Sequence, residues 1–374
     1  MSKRSATPAW RRSSPEGKLL VSPPQGNIEV SVIVRSTARP TLADALGSLG
    51  LQHGVAIEVL VVAACGATHP PLPSSCGPHP LRLVTSDVPL GRAAAANAGL
   101  AAASGEAITF LDDDDAFKPG HVAGLLTFMR STPGCRVVHS YADAIFSDGH
   151  RELFGHPFSL IQLYERNYIH LSTTLFTRDL ALAGCRFDET LEIHEDWDFL
   201  LQLAQHTPFE FAPAQTFQWH VELGTSGAGG GANQDAPRFA EFRDRVYAKW
   251  TRQREALFDH VTTLLNAAAA HARKGQAAAA EESIGAALAL SPNDPYALNL
   301  SAMIKRQAGR LDEARSTQEM AVAVRPDDPS MLYNLALVAV AQRDAAFARG
   351  CCERALALEP GYPPAERLRR QLVN

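Results

Sequence analysis

The chain has 374 residues and a formal net charge of −5, and 46% of its residues are hydrophobic while 20% are charged. This composition is typical of a globular protein with roughly two or three domains. The negative balance argues against nucleic acid as a partner. No stretch approaches the roughly 20 apolar residues that span a bilayer, so we expect no transmembrane segment.

The six cysteines are scattered, without the close spacing of a zinc ribbon or a disulfide framework. This usage favours a reducing cytoplasm, and peripheral recruitment to the inner face of the membrane stays open as an alternative. Residues 1–27 begin with basic residues but lack the continuous apolar segment of a signal peptide. We predict that these residues form a disordered arm.

From residue 28 to residue 250, short apolar runs alternate with helical patterns, which indicates a mixed, mostly parallel sheet with helices packed on it. We predict helices over Thr41–Gln52, capped by Thr41, and over Gly91–Ser104. The predicted strands are Val30–Val34, Ile57–Val62, Leu81–Thr85, Ala107–Leu111 and Phe209–Gln218.

Four consecutive carboxylates, Asp112 to Asp115, directly follow one of these apolar runs. Adjacent acids repel one another unless solvent, a cation or raised pKa values relieve the repulsion. A solvated acidic turn and a metal site are both compatible with the cluster by itself. Its place at the carboxyl end of a strand, where open α/β sheets bind ligands, favours the metal site.

Residues 251–374 are rich in alanine and show a repeat. Pro292, Pro326 and Pro360 recur at intervals of 34 residues, and two sets of alanines recur at the same interval. Such a period is typical of tetratricopeptide repeats, each a pair of helices that must stack on its neighbours. We predict an all-α solenoid of three repeats and a capping helix; the alternative is an unrelated helical bundle.

Four ordered blocks between residues 29 and 228 resemble family 2 glycosyltransferases, enzymes of the GT-A fold that transfer a sugar from a nucleotide donor. They are the opening strand and loop (Val32–Pro40), a helix with Gly, Asn and Gly (Gly91–Gly99), the Asp-x-Asp signature (Phe110–Asp115) and a block (Arg186–Asp198) containing a Glu-Asp dyad. The resemblance implies an inverting, metal-dependent, hexosyltransferase-like enzyme.

The resemblance also implies residue roles in donor binding. Asp114, with Asp112 beside it, is expected to bind Mn²⁺ or Mg²⁺, which would neutralise the nucleoside diphosphate leaving group. A haloacid-dehalogenase phosphatase also carries Asp-x-Asp after a strand, but Ala116 follows here where that motif needs Thr or Val. The residues expected to contact the nucleotide-sugar are Ser36, Arg92, Asn97, Asp112 and His220.

The Glu195-Asp196 dyad is the expected catalytic pair. An acceptor hydroxyl is a poor nucleophile, so inverting transfer needs a base, and Asp196 aligns with the base of the family. Glu195 is expected to shape the acceptor pocket. The alternative is a plain helix start, whose acidic residues favour the helix dipole. In related enzymes a histidine in the region of His220 can approach the metal or diphosphate; the alternative is a surface or packed histidine. The Gly/Ser loop that follows, up to Asn233, is a candidate lid.

One departure from the family concerns nucleobase recognition. The family usually has Asp residues after its second strand, but Ala63 and Ala64 stand there. We therefore keep a second hypothesis, a non-catalytic GT-A remnant in which the repeats act as a scaffold or adaptor. In the leading hypothesis the acceptor is a glycan, lipid-linked or protein hydroxyl. The repeats then recruit a protein partner or mediate self-association, unless they serve only as a structural cap.

Overall fold

The computed structural model describes residues 27–224 and 235–372. The predicted arm, apart from Asn27, and most of the predicted lid therefore lie outside the described residues. Within these ranges no helix is both long and apolar enough to cross a membrane.

The strands fall into two sheets. The first has the order β11-β7-β10-β5-β1-β2-β4-β3 and the second has the order β6-β12-β8-β9. The strand bounds are β1 Val30–Ser36, β2 Ile57–Ala63, β3 Ser75–Cys76, β4 His79–Val84, β5 Ala107–Asp112, β6 Ala116–Phe117, β7 Val137–His139, β8 Ala142–Ile145, β9 Arg151–Phe154, β10 Thr174–Thr177, β11 Glu210–Phe211 and β12 Phe217–His220.

Helices pack on the larger sheet and then continue without further strands to the end of the described chain. Their bounds are α1 Leu42–Gly50, α2 Arg92–Ala102, α3 His121–Ser131, α4 Leu160–Glu165, α5 Arg178–Leu182, α6 Glu195–Ala204, α7 Ala236–Arg273, α8 Ala277–Leu290, α9 Pro295–Gln307, α10 Leu311–Val324, α11 Pro329–Ala341, α12 Ala345–Leu358 and α13 Pro363–Gln371.

The centre of the larger sheet is parallel, as the sequence predicts. Strand β1 lies between β2 and β5 and runs parallel to both. All seven residues of β1 are buried, because helices cover both faces of a parallel sheet. The register pairs Arg35 of β1 with Asp112 of β5, so these two side chains emerge together at the carboxyl edge.

Helix α2 approaches this central strand closely at Gly99. A Cβ atom added at Gly99 would overlap the side chain of Ile33, which is fully buried in β1. We predict that Gly99→Ala lowers the free energy of unfolding by about 1–3 kcal/mol, because overpacking a full core forces side chains or backbone to shift. Urea unfolding measures this loss. Gly47→Ala is the matched control, since a Cβ there meets nothing within 4 Å.

Two local predictions need correction. Thr41 stands at the N-cap position of α1, but its side chain makes no capping hydrogen bond; the backbone there is already helical. The strand predicted over Phe209–Gln218 is two short strands, β11 and β12, which belong to different sheets. Pro213 lies between them, and proline lacks the backbone N–H that a continuous ladder needs.

The C-terminal helices pair in phase with the 34-residue period. Helices α9 and α11 begin with Pro295 and Pro329, and the carboxylates of Asp294 and Asp328 cap them. The turns within successive pairs have positive φ at Gly275, Gly309 and Arg343. Arg343 therefore adopts the turn conformation of the two glycines, and the described helices are consistent with the predicted repeats.

No loop marks the expected domain boundary at residues 250 and 251. Helix α7 runs unbroken from Ala236 to Arg273. Its first half packs Phe242, Val246 and Trp250 into the core of the sheet domain, and its second half packs against α8 with Val261 and Ala268. One helix thus belongs to both hydrophobic cores.

Candidate active site

A cavity of about 390 Å³ opens at the carboxyl edge of the central strands. The end of β5 and the following turn form one wall, and the N-terminus of α6 forms another. The charged residues that line it are Arg35, Arg39, Arg92, Asp112, Asp113, Asp114, Asp115, Glu195 and Asp196. The structure therefore brings the two predicted acidic groups, more than 80 residues apart in sequence, into one site.

Asp112 is held by Arg35. The guanidinium donates from Nε and Nη2 to Asp112 Oδ1, at 3.0 and 2.6 Å. Burial raises the pKa of Asp112, but the charges of Arg35 and Arg92 outweigh it and hold the pKa well below its usual value. Asp112 is therefore ionised across the physiological range.

Arg39 holds the next two carboxylates. It donates to Asp113 Oδ1, and its Nη1 lies 3.1 Å from Asp114 Oδ2. Burial and the charge of Asp112 raise the pKa of Asp114, and Arg39 offsets only part of this effect. The described side chains therefore compensate the negative charge of ionised Asp114 only in part.

Asp115 joins the acidic turn to β12. Its Oδ1 accepts a hydrogen bond from the backbone N–H of His220 at 2.8 Å. Burial and the charges of Asp114 and Asp112 raise its pKa well above the usual value. The His220 Nδ1 lies 2.9 Å from the carbonyl oxygen of Asp114. Because a carbonyl only accepts, Nδ1 donates the proton in this hydrogen bond.

The donor set fits a divalent cation that the substrate helps to hold. Six carboxylates and three guanidiniums line the cavity, so negative charge is in excess. In the described part of the chain, no group of three His, Cys, Asp or Glu side chains is arranged to hold a metal alone. Mg²⁺ commonly binds through one or two carboxylates plus substrate phosphates. Asp114 and Asp112 are the residues that fit this arrangement, and His220 lines the same cavity.

Glu195 lines the cavity, and two arginines enclose its carboxylate. Its Oε1 accepts from Arg35 Nη1 at 2.9 Å and from Arg92 Nε at 2.8 Å, and its side chain is 1% exposed. Burial opposes its ionisation, but the charges of Arg92 and Arg35 lower its pKa overall. Glu195 is therefore an anion at neutral pH, and it orders two cations.

Asp196 has the opposite electrostatic environment. Its Oδ1 accepts from the backbone N–H of Trp197 at 2.7 Å, and its Oδ2 accepts from Asn167 Nδ2 at 3.2 Å. Burial and the neighbouring charge of Glu195 raise the pKa of Asp196 to about 6. A partly exposed carboxylate with this pKa is suited to take a proton near neutral pH.

The start of α6 is held in place from several sides. His194 precedes the dyad with a φ of 64°, a conformation that is uncommon for a non-glycine residue and often marks functional sites. Trp197 donates from Nε1 to the carbonyl of Leu163 at 2.6 Å. Asp198 accepts from Lys249 and Trp250 of α7. These bonds fix the direction in which Asp196 faces the cavity.

Two residues predicted to bind the donor do not line the cavity. Ser36 is fully buried and bonds through Oγ to the Ala38 N–H and the His69 ring. Asn97 exchanges hydrogen bonds with the backbone of Phe187, at 2.9 Å in both directions. Both side chains shape the walls behind the cavity. Arg92, by contrast, lines the cavity.

Four residues of the site have no role that could be predicted from the sequence: Arg35, Arg39, Asn167 and His170. Arg35 lies near the end of β1 and Arg39 follows four residues later, and they contact the carboxylates at the end of β5 and in the turn after it. His170 lines the cavity, and its Nδ1 accepts from the Ser172 N–H at 3.2 Å. No sequence signal distinguishes Asn167 or His170 from ordinary loop residues.

Comparison with known proteins agrees with this geometry. The family model described as "Glycosyl transferase family 2" matches residues 31–189. This range is similar to family 2 glycosyltransferase domains. It includes β1, the acidic turn and the Phe187 loop, and the dyad follows six residues after its end.

Two curated relatives and one solved structure extend the comparison. The glycosyltransferase YwdF of Bacillus subtilis is 26% identical over 187 residues, which are 48% of this chain and 69% of YwdF. The succinoglycan biosynthesis protein ExoO of Rhizobium meliloti is 27% identical over 212 residues, 52% of this chain and 61% of ExoO. Residues 1–349 of S. aureus TarS, solved with UDP-GlcNAc, share 15% identity and a TM-score of 0.46, covering 90% of this chain and 91% of that one.

Proposed function

We propose that this protein is an inverting, metal-dependent glycosyltransferase that moves a sugar from a nucleotide donor to an acceptor hydroxyl. The observation that carries the proposal is the single cavity shared by the acidic turn and the dyad. One wall offers the carboxylates of the acidic turn, which would hold a cation that neutralises a diphosphate. The other wall offers Asp196, whose pKa is about 6. The family 2 domain supplies the same reaction class.

In this proposal the residues divide the work by charge. Asp114 and Asp112 would hold Mn²⁺ or Mg²⁺, and the cation would neutralise the negative charge that develops on the leaving diphosphate. Arg92 and Arg35, ordered by Glu195, add positive charge beside the cation. Asp196 removes the proton of the acceptor hydroxyl as the hydroxyl oxygen attacks the anomeric carbon from the face opposite the nucleotide.

The acceptor we favour is a glycan, because the ExoO relative bears the name of a polysaccharide biosynthesis protein. The chemistry at Asp196 requires only a hydroxyl, so lipid-linked glycans and glycosylated proteins have the same reacting group. The helical region provides a surface for a protein partner or for a second copy of this chain, as stacked helix pairs do in other proteins.

The non-catalytic hypothesis rests on one feature of the cavity. Ala64 lines it after β2, so the carboxylates that usually hold the nucleobase are missing there. The Ala64 N–H instead donates to Ser36 O at 2.8 Å, and its carbonyl accepts from Leu90 N–H at 2.8 Å. This loss bears on which base is bound, and it leaves the metal and proton-transfer groups in place.

The test is release of nucleoside diphosphate from a panel of nucleotide-sugars, with Mn²⁺ or Mg²⁺ and with EDTA. We expect turnover that EDTA abolishes and a divalent cation restores. Asp114→Ala should lower kcat/KM about a hundredfold, a common result of removing one electrostatic contact from an active site, and should raise the Mn²⁺ concentration needed for half-maximal rate.

Asp148→Ala is the control for this variant, because Asp148 is an exposed carboxylate in the turn after β8. Equal rates for Asp114→Ala and Asp148→Ala would contradict the metal role. If no nucleotide-sugar is turned over or raises the thermal stability of the wild-type protein, the non-catalytic hypothesis gains, since any ligand of the native state must stabilise it.

A further inference from the structure

Asn167 contacts the proposed base directly, and its amide orientation is fixed. Its Oδ1 accepts from the Ile169 N–H at 3.3 Å, so the amide nitrogen points the other way. That nitrogen donates to Asp196 Oδ2 at 3.2 Å. Asn167 is half-buried and lines the cavity. A neutral donor in this position favours the ionised form of the carboxylate.

The segment that carries Asn167 is shared between the two hydrophobic cores. Helix α4 ends two residues before Asn167. Its Ile161 packs into the core of the helical region, with Val261 and Ile284. Leu163, two residues further along α4, packs into the core of the glycosyltransferase domain. Movement of either core therefore displaces α4.

Hydrogen bonds tie the same segment to the C-terminal helices. The buried Gln162 donates from Nε2 to the carbonyl of Val324, the last residue of α10, at 3.0 Å. Arg166 Nη1 lies 2.9 Å from Asp327 Oδ2. Asn293 Nδ2 donates to the carbonyl of Phe158 at 3.1 Å. We expect the buried bond of Gln162 to contribute more than the Arg166–Asp327 pair, because exposed ion pairs contribute little.

From these contacts we infer that Asn167 is a positioning residue for Asp196 and that the helical region, through α4, holds Asn167 in place. The C-terminal helices are then part of what orients the base, in addition to any partner they bind. This inference rests on the proposed function only in calling Asp196 the base. The geometric claim concerns the carboxylate itself and is testable without substrate.

Several charged groups near Asp196 also influence its pKa. Glu195 on its own helix raises the pKa of Asp196, while Arg92 on α2 and Arg35 on β1 lower it. His194 and His170 line the same cavity. None of these groups is altered when Asn167 is replaced, so a change in the titration of Asp196 reports the lost hydrogen bond.

The first experiment follows the carboxyl ¹³C titration of Asp196 in the full-length protein, with Asp196→Asn to assign the resonance. In Asn167→Ala we expect the midpoint to rise by about one pH unit, since a hydrogen bond to a charged group is worth about that much. Asn167→Asp keeps an acceptor for the Ile169 N–H but adds a negative charge, so its midpoint should rise further. A midpoint within about 0.2 units of wild type in both variants would overturn the role of Asn167.

The second experiment tests the helical region. Gln162→Leu keeps the buried volume but removes the bond to Val324, and we expect the Asp196 midpoint to move upward by a smaller amount. Gln342→Ala is the control, because Gln342 bonds to Asp312 within the helical region and makes no contact with α4. If Gln162→Leu leaves the midpoint of Asp196 where Gln342→Ala leaves it, the helical region does not hold the base.

Enzyme kinetics then separate the two proposals. If the wild-type protein turns over a nucleotide-sugar, kcat/KM should fall on the acidic side of its pH profile. The pH at which this acidic limb begins should move with the ¹³C midpoint in each variant, while KM for the donor changes little. If no turnover is found, the proposed function fails and the ¹³C titration still decides the inference about Asn167.

Discussion

Asp196→Asn is expected to reduce kcat by about 10² to 10⁴-fold, which is the usual contribution of a positioned general base. The substitution keeps the shape of the side chain, and its Oδ1 can still accept from the Trp197 N–H. It removes the ability to take a proton, together with the Oδ2 acceptor of the Asn167 amide. Steady-state transfer assays, with nucleotide release as the readout, measure the loss.

The pH dependence of the wild-type rate should report the same group. Because the pKa of Asp196 is about 6, the ionised base prevails above this pH, and kcat/KM should fall tenfold for each pH unit below it. In Asp196→Asn this acidic limb should vanish and leave a flat, low rate. A limb that persists unchanged in the variant would assign it to another group.

Stability separates loss of catalysis from loss of structure. The folded-state pKa of Asp196 lies above its usual value, so its ionised form is a cost to folding at neutral pH. Asp196→Asn should therefore unfold at the same or a higher urea concentration than wild type at pH 7. Asp179→Asn, an exposed carboxylate in α5, is the control and should retain the wild-type rate.

The sequence predicts the central strands well because β1, β2 and β5 are buried on both faces and appear as continuous apolar runs. It predicts the phase of the C-terminal helices because their prolines and turn glycines recur every 34 residues. It fails at β11 and β12, where strands of only two and four residues depend on tertiary pairing that no local pattern encodes.

The same distinction applies to the site. Acidic pairs after strands or at helix starts are visible in the sequence, but their partners are not. Arg35 meets Asp112 only through the register of β1 on β5, and it meets Glu195 across 160 residues of chain. Asn167 reaches Asp196 only because α4 packs on two cores at once. The roles of Glu195 and Asp196 therefore separate only when their neighbours are known.

Glu195→Gln is the second large expected effect. The change leaves Arg35 and Arg92 facing a neutral amide in a buried site, and removing one partner of a buried ion pair usually costs several kcal/mol. We expect the free energy of unfolding at pH 7 to fall by about 3 kcal/mol, as urea unfolding would show. Glu189→Gln is the matched control, because Glu189 is an exposed carboxylate that accepts only from Asn97, and it should change stability little.

The sign of the pH dependence gives a further check on Glu195→Gln. The folded-state pKa of Glu195 is lowered, so its stabilising effect is complete above its unfolded-state pKa and is lost as the pH falls through the folded-state value. The difference in stability between wild type and Glu195→Gln should therefore shrink in acid. A difference that stays constant with pH would mean that the variant loses packing rather than charge.

Glu195→Gln should also change Asp196 in the direction opposite to the Asn167 variants. The charge of Glu195 is one of the causes that raise the pKa of Asp196, so its removal should lower that pKa and move the acidic limb of kcat/KM to lower pH. Replacing Asn167 should move the same limb to higher pH. If both substitutions moved it in the same direction, general disturbance of the site would explain the result better than the separate electrostatic roles of Glu195 and Asn167.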